Sequence, residues 1–149
     1  MKRLSIALTL ILVTAGGVRD AFAQIVGRIQ FTTAFPFTVG NTTLPGGTYS
    51  IASDSLEPSL LVIRGWNTSV FEAATESSPS RAPARSEVVF ERFGNGYILK
   101  SVWVAGSTVG YQLNVRAAER RLARTNEAPD EVRVSAHLTA RRPKLPTAR

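Results

Sequence analysis

The sequence predicts a mostly β fold, a small antiparallel β-barrel or sandwich of seven to eight strands with one short α-helix in the C-terminal half. Three observations predict it. Apolar and polar residues alternate over many short segments, turn residues separate these segments closely, and one late segment changes to helical spacing. Because successive side chains of a strand point to opposite faces, each alternating segment presents one apolar face to a core.

The first strands follow from the segments that begin at residue 24. In QIVGRIQF, Ile29 and Phe31 share one face and Arg28 lies on the other. FPFTV and TYSIAS alternate in the same way. LLVIR, residues 60–64, is a continuous apolar run of the kind found in strands buried on both sides. In SVFEAA the alternation is less clear, because Val70 stands beside Phe71.

The glycines between the second and third of these segments favour a hairpin over a phosphate-binding loop. The stretch reads FPFTVGNTTLPGGTYSIAS. A phosphate-binding glycine loop needs a helix after it, whereas Thr48 to Ile51 is strand-like. Gly40-Asn41 is a turn dipeptide, and Pro45-Gly46 fits the centre of a type II turn with positive φ at glycine. The stretch is therefore predicted to fold the chain.

The second half predicts a hairpin, a helix and a final strand. SEVVFERFGNGYILKSVWVAG alternates on both sides of the Gly94-Asn95-Gly96 turn. NVRAAERRLARTN begins with Asn114 as a candidate N-cap and places Val115, Ala118 and Leu122 on one face. EVRVSAHL then places Val132, Val134, Ala136 and Leu138 on one side.

The N-terminus is typical of a secretory signal peptide. Lys2 and Arg3 precede an apolar run from Leu4 to Val13, and Ala21-Phe22-Ala23 provides a small-x-small cleavage site. Cleavage after Ala23 predicts an exported protein of the periplasm or extracellular space. We therefore expect a signal peptide at 1–23, one β-rich domain at 24–140, and a basic disordered tail at 141–149.

Charge and cysteine content restrict the possible functions. Residues 24–115 hold six basic and six acidic residues, whereas residues 116–149 hold nine basic and four acidic ones. Such asymmetry indicates an interaction segment, and for an exported chain it favours an anionic lipid or polysaccharide surface over nucleic acid. The chain has no cysteine, which excludes thiol catalysis, thiolate metal sites and iron–sulfur clusters.

Two motifs carry a resemblance to a group of proteins. They are PFTVGNTTLPGGTYSI and SEVVFERFGNGYILKSVWVAGSTVGYQLNVRAAERRLA. Together they cover most of residues 35–123 and resemble small uncharacterised exported β-rich proteins frequent in acidobacterial genomes. The resemblance implies an exported β-rich fold and brings no activity and no catalytic residue.

No catalytic constellation is visible, so we expect no enzyme, no cofactor and no metal. His137 is the single histidine and lies on the polar face of its strand. Glu87 and Glu91 share the polar face of another strand, as Glu72 and Glu76 share a face upstream, and such glutamates are usually solvated. A GxSxG nucleophile motif is absent from the sequence.

Aromatic and basic residues are the better contact candidates. Tyr97 and Trp103 share one strand face, at positions 97, 99, 101 and 103, which predicts core packing as the alternative to ligand contact. Trp66 lies in the turn-like GWNTS. Basic residues four apart form a stripe along the predicted helix. The candidate contact residues are Trp66, Trp103, Tyr97, Arg116, Arg120, Arg124, Arg141 and Arg142.

Two hypotheses for function follow. The first is an exported non-enzymatic β-domain with an envelope or interaction role, which binds an anionic surface through its basic C-terminal third. The alternative is a carrier of small apolar ligands with a cavity inside the barrel. The residues predicted to line that cavity are Phe31, Phe35, Phe37, Phe90 and Trp103.

Overall fold

The fold is that of a computed structural model, which describes residues 27–116, 119 and 128–139. Within these residues the chain forms ten β-strands, which confirms the mostly β prediction. In chain order they are β1 (Arg28–Thr33), β2 (Phe37–Val39), β3 (Thr42–Leu44), β4 (Gly47–Ser53), β5 (Leu60–Arg64), β6 (Ser69–Ser77), β7 (Glu87–Phe93), β8 (Gly96–Trp103), β9 (Gly110–Leu113) and β10 (Asp130–Thr139).

Three predicted segments fall wholly or mostly outside the described residues: the signal peptide, the helix after Asn114 and the basic tail. Where the helical segment begins, the Glu119 amide donates a hydrogen bond to the Val115 carbonyl oxygen at 2.9 Å. This is the spacing of one α-helical turn, and the helix as a whole stays a prediction. In the part of the chain that the structure describes, no helix has the length and apolar character to cross a bilayer.

Eight of the strands close into a barrel. Their order is β8-β7-β10-β1-β4-β5-β6-β9, and β9 pairs again with β8. Every neighbouring pair in this ring is antiparallel. Of the two predicted architectures, the structure is therefore the barrel.

The β2–β3 hairpin completes the seam of this barrel. Strand β9 pairs with β8 only from Ser101 to Trp103. Nearer the start of β8, Ile98 pairs with Thr38 of β2 in the parallel direction. At the hairpin turn, a Cβ added to Gly40 would lie 2.2 Å from Glu72 Oε2 in β6. The hairpin thus reaches from β8 to β6 where β9 is too short to do so.

The glycine-rich stretch folds the chain, with one difference from the prediction. Gly40 has a φ of 56° at the β2–β3 turn, and strand β4 follows the stretch, as expected. The type II turn expected at Pro45-Gly46 is wrong, because Gly46 is not among the described glycines with positive φ. Instead, a Cβ at Gly46 would lie 3.0 Å from the backbone of Ala34. Glycine is needed there for close approach of two chain segments.

Aromatic rings fill the barrel interior. The rings of Phe31, Phe37 and Phe90 pack with centroids 6.0, 6.0 and 5.2 Å apart. Tyr49 packs edge-on against Phe37 at 5.0 Å and donates a hydrogen bond from its hydroxyl to the Pro45 carbonyl oxygen at 2.7 Å. Such ring pairs contribute about 0.5–1.5 kcal/mol each beyond the burial of their area. This interior is the core of the domain.

A β-bulge changes the facing of side chains in β8. Val89 of β7 pairs with Ser101, but Phe90 pairs with Leu99, so Lys100 has no partner residue in the register. The extra residue turns Leu99 and Val102 to the same side, and both belong to the core. Regular alternation across this strand is therefore broken at Lys100.

Candidate functional site

The outer side of β4, β5 and β6 carries a group of apolar residues. In β5, Leu61 and Ile63 belong to the core, so Val62 between them points outward. Val62 is paired with Phe71 of β6 and with Ala52 of β4. We call the outward apolar residues of these three strands the apolar face: Ala52, Leu60, Val62, Phe71 and Ala73.

Phe71 is the exposed centre of the apolar face. Its side chain is 54% exposed, whereas its cross-strand partner Val62 is only 4% exposed although it points away from the core. The register places Phe71 and Ala52 on either side of Val62, at the spacing at which cross-strand side chains can interact. A contiguous apolar patch on the outside of a sheet marks a contact surface, whereas single scattered apolar residues do not.

Three arginines border the apolar face. Arg64 is the last residue of β5 and is exposed on its outer side. Arg28 begins β1, and the register between β1 and β4 places it beside Ala52. Arg116 lines an open pocket of about 480 Å³ together with Ala73. Positive charge therefore lies on several sides of the apolar residues.

The strands that carry and flank the apolar face have no carboxylate on their outer side, within the described part of the chain. The outward residues of β1, β4, β5, β6 and β9, all within the described part of the chain, include Arg28 and Arg64 but neither Asp nor Glu. Glu72 and Glu76 of β6 alternate with Phe71 and so belong to the opposite side of the strand. Burial raises the pKa of Glu72, which agrees with its inward position.

Trp66 lies at the end of the apolar face, in the turn between β5 and β6. The indole is fully exposed, with a relative accessibility of 101%. The Gly65 amide donates a hydrogen bond to the Thr68 carbonyl oxygen at 2.9 Å, which closes the turn. Gly65 also packs on the core ring of Tyr49, since an added Cβ would lie 2.7 Å from Tyr49 Cε1. The turn is therefore packed against the core, and it holds the Trp66 side chain fully exposed to solvent.

The opposite end of β5 is acidic. In the β4–β5 loop, Asp54 Oδ1 accepts hydrogen bonds from the amides of Leu56 at 2.9 Å and Glu57 at 3.2 Å. Leu56 is 93% exposed, but carboxylates flank it on both sides in the chain. Exposed aromatic surface and the positive charge of Arg64 therefore coincide at the Trp66 end of the apolar face, whereas Arg116 lies beside Ala73 at the Leu60 end.

The outer surface of β7, β8 and β10 is ionic. Lys100 Nζ donates hydrogen bonds to Glu91 Oε1 at 2.9 Å and to Glu131 Oε1 at 3.0 Å. Arg133 forms ion pairs with Glu131, at 3.2 Å, and with Glu87. The bulge aims Lys100 outward between two strands. We call these residues the ion-paired face: Glu87, Glu91, Lys100, Glu131 and Arg133.

Charge coupling on the ion-paired face centres on Lys100. The hydrogen bond with Glu91 raises the pKa of Lys100, and the hydrogen bond from Lys100 lowers the pKa of Glu131. Burial, and next a hydrogen bond with Glu91, raise the pKa of Glu119. Glu91 is only 8% exposed, and its Oε2 has no donor among the described residues.

The structure separates the contact residues that the sequence suggested. Trp66 is exposed, whereas Tyr97 stacks on Phe35 with ring centroids 3.9 Å apart. Trp103 covers Gly110, where an added Cβ would lie 2.1 Å from Trp103 Cε3. The prediction that Tyr97 and Trp103 share one face is wrong, because the bulge at Lys100 reverses the facing between them.

Of the predicted contact arginines, the structure describes Arg116. The others lie outside the described residues: Arg120, Arg124, Arg141 and Arg142.

The aromatics predicted to line a ligand cavity mostly contact one another. Phe35 is 5.4 Å from Phe90 between ring centroids, in addition to the contacts among Phe31, Phe37 and Phe90. A further pocket of about 510 Å³ lies open at the β7–β8 turn, beside the ion pair of Arg92 and Asp130. Both of the described pockets are open to solvent.

The residues considered for catalysis are dispersed or occupied. His137 is exposed on β10, where it pairs with Gln30 of β1. Glu87 and Glu91 are bound in ion pairs. Among the residues that the structure describes, no three of the types His, Cys, Asp and Glu are grouped so as to hold a metal ion.

Sequence reasoning missed the apolar face, although two signals for it were present. Residues 60–64 form an apolar run too continuous for a strand with one solvated side, and Val70 and Phe71 are consecutive apolar residues. Together they indicate two neighbouring strands with apolar residues on both sides. Which of Val70 and Phe71 faces the core could be decided only from the register.

Comparison with known proteins gave no match to a family model, to a curated protein or to a solved structure. The resemblance to small exported acidobacterial proteins stays a prediction. Function is therefore inferred from the geometry of the barrel surface.

Proposed function

We propose that this chain is an exported, non-enzymatic β-barrel domain that acts at the cell envelope by binding an anionic surface. The binding surface comprises the apolar face, Trp66 and the bordering arginines. The basic residues of the C-terminal third add long-range attraction to the same partner.

The observation that carries this proposal is the segregation of charge between the two outer sides of the barrel. On the ion-paired face, Lys100 and Arg133 are held by glutamates at hydrogen-bonding distance. Around the apolar face, the outward strand positions supply Arg28 and Arg64 without any carboxylate. Cations that the fold leaves on one side attract an anionic partner to that side.

The C-terminal third strengthens the expected attraction. Residues 116–149 hold nine basic and four acidic residues, and Arg116 borders the apolar face at Ala73. Basic residues near an anionic membrane contribute about 1 kcal/mol each, and the effect decays within a Debye length. The segment therefore raises the affinity without defining the contact surface.

A retention experiment tests the proposal. The protein recovered from the periplasm of an expressing bacterium is applied to a sulfated polysaccharide matrix and to anionic vesicles, at low salt and at about 1 M salt, where the Debye length is about 3 Å. We expect retention on at least one of these surfaces at low salt and release at high salt. Absence of retention on both surfaces, or retention that salt does not change, would contradict the proposal.

A truncation separates the two contributions. Deletion of residues 141–149 removes four basic residues, so the protein should elute at lower salt than the full chain. Retention should not disappear, because Arg28 and Arg64 remain on the barrel. Complete loss on truncation would place the binding site in the tail alone.

The carrier alternative has less support. A closed barrel is compatible with it, but the rings expected to line a cavity pack against one another at 5.2–6.0 Å. The non-enzymatic assignment is supported by the exposed, isolated position of His137 and by the ion pairs of Glu87 and Glu91. A ligand that co-purifies with the protein in native mass spectrometry would favour the carrier instead.

A further inference from the structure

We propose that the anionic surface is a lipid bilayer containing anionic phospholipid, and that the barrel docks on it with Trp66 and Phe71 inserted at the level of the headgroups. This inference rests on the proposed function and adds the chemistry of the partner. It is carried by the side-chain types, exposure and charge of one patch: Arg64, Trp66 and Phe71.

Trp66 is suited to the interface between headgroups and acyl chains. An indole has a large apolar surface and one N–H donor, and both are accommodated where a bilayer is part apolar and part hydrated. In the free protein the indole of Trp66 is fully exposed, and a turn anchored on Tyr49 holds it there. Insertion would therefore remove apolar area from water without rearranging the barrel.

The neighbouring outward residues extend this anchor into a surface. Phe71 lies two residues into β6 from Ser69, which is about 7 Å along the strand. Ser69 in turn pairs with Arg64 across the strand. An aromatic ring, an arginine and an indole thus lie within one patch at the same end of the barrel. Arginine beside inserted aromatics is suited to contact with lipid phosphates.

The surrounding charges define the orientation on the bilayer. Asp54 and Glu57 lie at the far end of β5, and the glutamates of the ion-paired face lie on other strands of the ring. An anionic bilayer would repel those regions and attract the end that carries Arg64. The barrel should therefore dock with the β5–β6 turn toward the membrane.

The same features disfavour two other occupants. A polysaccharide could stack on Trp66, but it offers little apolar surface to the exposed ring of Phe71. A second copy related by two-fold symmetry would bring this side of the barrel against the same side of its partner, which carries Arg28 and Arg64 and no outward carboxylate on the described strands β1, β4, β5, β6 and β9. Like charges would then oppose association, whereas phospholipid supplies the opposite charge.

Tryptophan fluorescence tests the insertion directly, because the chain has only two tryptophans, Trp66 and Trp103. In a Trp103→Phe variant, vesicles of phosphatidylcholine with about one-third phosphatidylglycerol should shift the Trp66 emission to the blue and brominated lipid should quench it. Pure phosphatidylcholine vesicles should cause neither change. Trp103 packs on Gly110, so its replacement could disturb the fold. The complementary Trp66→Phe variant, which keeps Trp103, is therefore also measured. The emission of its remaining Trp103 should not respond to any vesicle.

Matched variants test which side chains bind. Trp66→Ala should weaken partition onto the phosphatidylglycerol vesicles roughly tenfold, because most of an indole is removed from water on insertion. Arg64→Ala should weaken it about fivefold, the contribution of one cation near an anionic membrane. Leu56→Ala and Arg81→Ala, at exposed positions outside the patch, should change partition less than about twofold.

The outcomes separate this inference from the proposed function. Salt-sensitive retention on the polysaccharide matrix without any response of Trp66 to vesicles would overturn the lipid inference and leave the proposed function standing. Retention on neither surface would overturn both. A shift of Trp66 emission that depends on protein concentration without lipid, with dimers in sedimentation equilibrium, would show that a second copy occupies the face and would overturn the inference. A blue shift and quenching restricted to phosphatidylglycerol vesicles would support it.

Discussion

The two outer sides of this barrel are built from the same kind of alternating strand, yet they differ in how charge is arranged. On one side cations and carboxylates are paired, and on the other side arginines lie without carboxylates on the neighbouring outward positions. On the ion-paired face, each cation contacts glutamates across neighbouring strands, and Glu91 is nearly buried. On the apolar face, the outward positions hold arginine, apolar and neutral polar residues only. The first arrangement uses charge within the fold, and the second leaves it for a partner.

This difference separates stability from binding. Removing Lys100 from the ion-paired face leaves the nearly buried carboxylate of Glu91 uncompensated, so folding should suffer. Removing an exposed residue from the apolar face or its turn leaves nothing uncompensated, so folding should persist while binding is lost. Variants on the two faces should thus differ in kind, which Lys100→Met and Trp66→Ala test. Gly40→Ala and Glu72→Gln test the contact between the β2–β3 turn and the inner side of β6. The four follow in order of decreasing effect on stability.

Lys100→Met should have the largest effect. It leaves the carboxylate of Glu91 without its cation, and we expect a loss of about 2–3 kcal/mol in the free energy of unfolding, less than for a fully buried pair because Lys100 is 25% exposed on its side chain. Urea unfolding at neutral pH measures it. The matched control is Arg92→Ala, which breaks the exposed pair with Asp130 and should cost less than about 1 kcal/mol. Equal losses of unfolding free energy in the two variants would show that the Lys100–Glu91 pair contributes no more than an exposed ion pair.

Gly40→Ala should have the next largest effect. Its φ of 56° is strained for alanine, and an added methyl group would meet the Glu72 carboxylate at 2.2 Å. We expect a loss of about 2 kcal/mol in urea unfolding, of which the backbone supplies about 1–2 kcal/mol. Gly94→Ala is the control, because Gly94 has the same φ and nothing within 4 Å of the added Cβ. If both variants lose the same stability, Glu72 does not lie against the hairpin turn.

Glu72→Gln should stabilise the protein at neutral pH. Burial raises the pKa of Glu72 above its ordinary value of 4.5, so the folded state favours the protonated form. That contribution is complete below pH 4.5 and is lost as pH rises through the raised pKa. The variant should therefore match the wild type in thermal unfolding at acidic pH and exceed it at neutral pH. A difference that stays constant with pH would contradict the inward position of this carboxyl group.

Trp66→Ala should have the smallest effect on stability. A fully exposed indole has no packing to lose, so the free energy of unfolding should change by less than about 0.5 kcal/mol. Thermal unfolding checks this value in parallel with the vesicle partition described above. A large loss of stability would mean that Trp66 packs within the fold and is not a free contact residue.

Much of this fold was predictable because the alternation of apolar and polar residues within one strand shows which of its side chains face the core. The alternation in β10 correctly placed Val132, Val134 and Ala136 on the inner side and His137 on the outer side. The β7–β8 hairpin followed from its glycine turn, where Gly94 has positive φ. Both are local properties, which depend on a few neighbouring residues.

The remainder depends on pairings between distant residues. The bulge at Lys100 is one extra residue in a run that still looks regular, so the facing of Trp103 could not be derived from alternation. Closure through the short strand β9 and the seam formed by the β2–β3 hairpin are also non-local. The apolar face escaped prediction for the same reason, because only the register between β5 and β6 shows that Phe71 points outward.

A pair of charge reversals tests the central claim most directly, namely that the side of the barrel bearing the apolar face binds the anionic surface. Arg64→Glu and Arg81→Glu have the same net charge, but Arg64 borders the apolar face and Arg81 lies in the loop before β7. Binding of both variants and the wild type is measured by co-sedimentation with phosphatidylglycerol-containing vesicles at low salt. The account predicts that Arg64→Glu weakens binding at least about tenfold, whereas Arg81→Glu changes it less than about twofold. Equal weakening by both substitutions would show that only the net charge matters and would contradict the account.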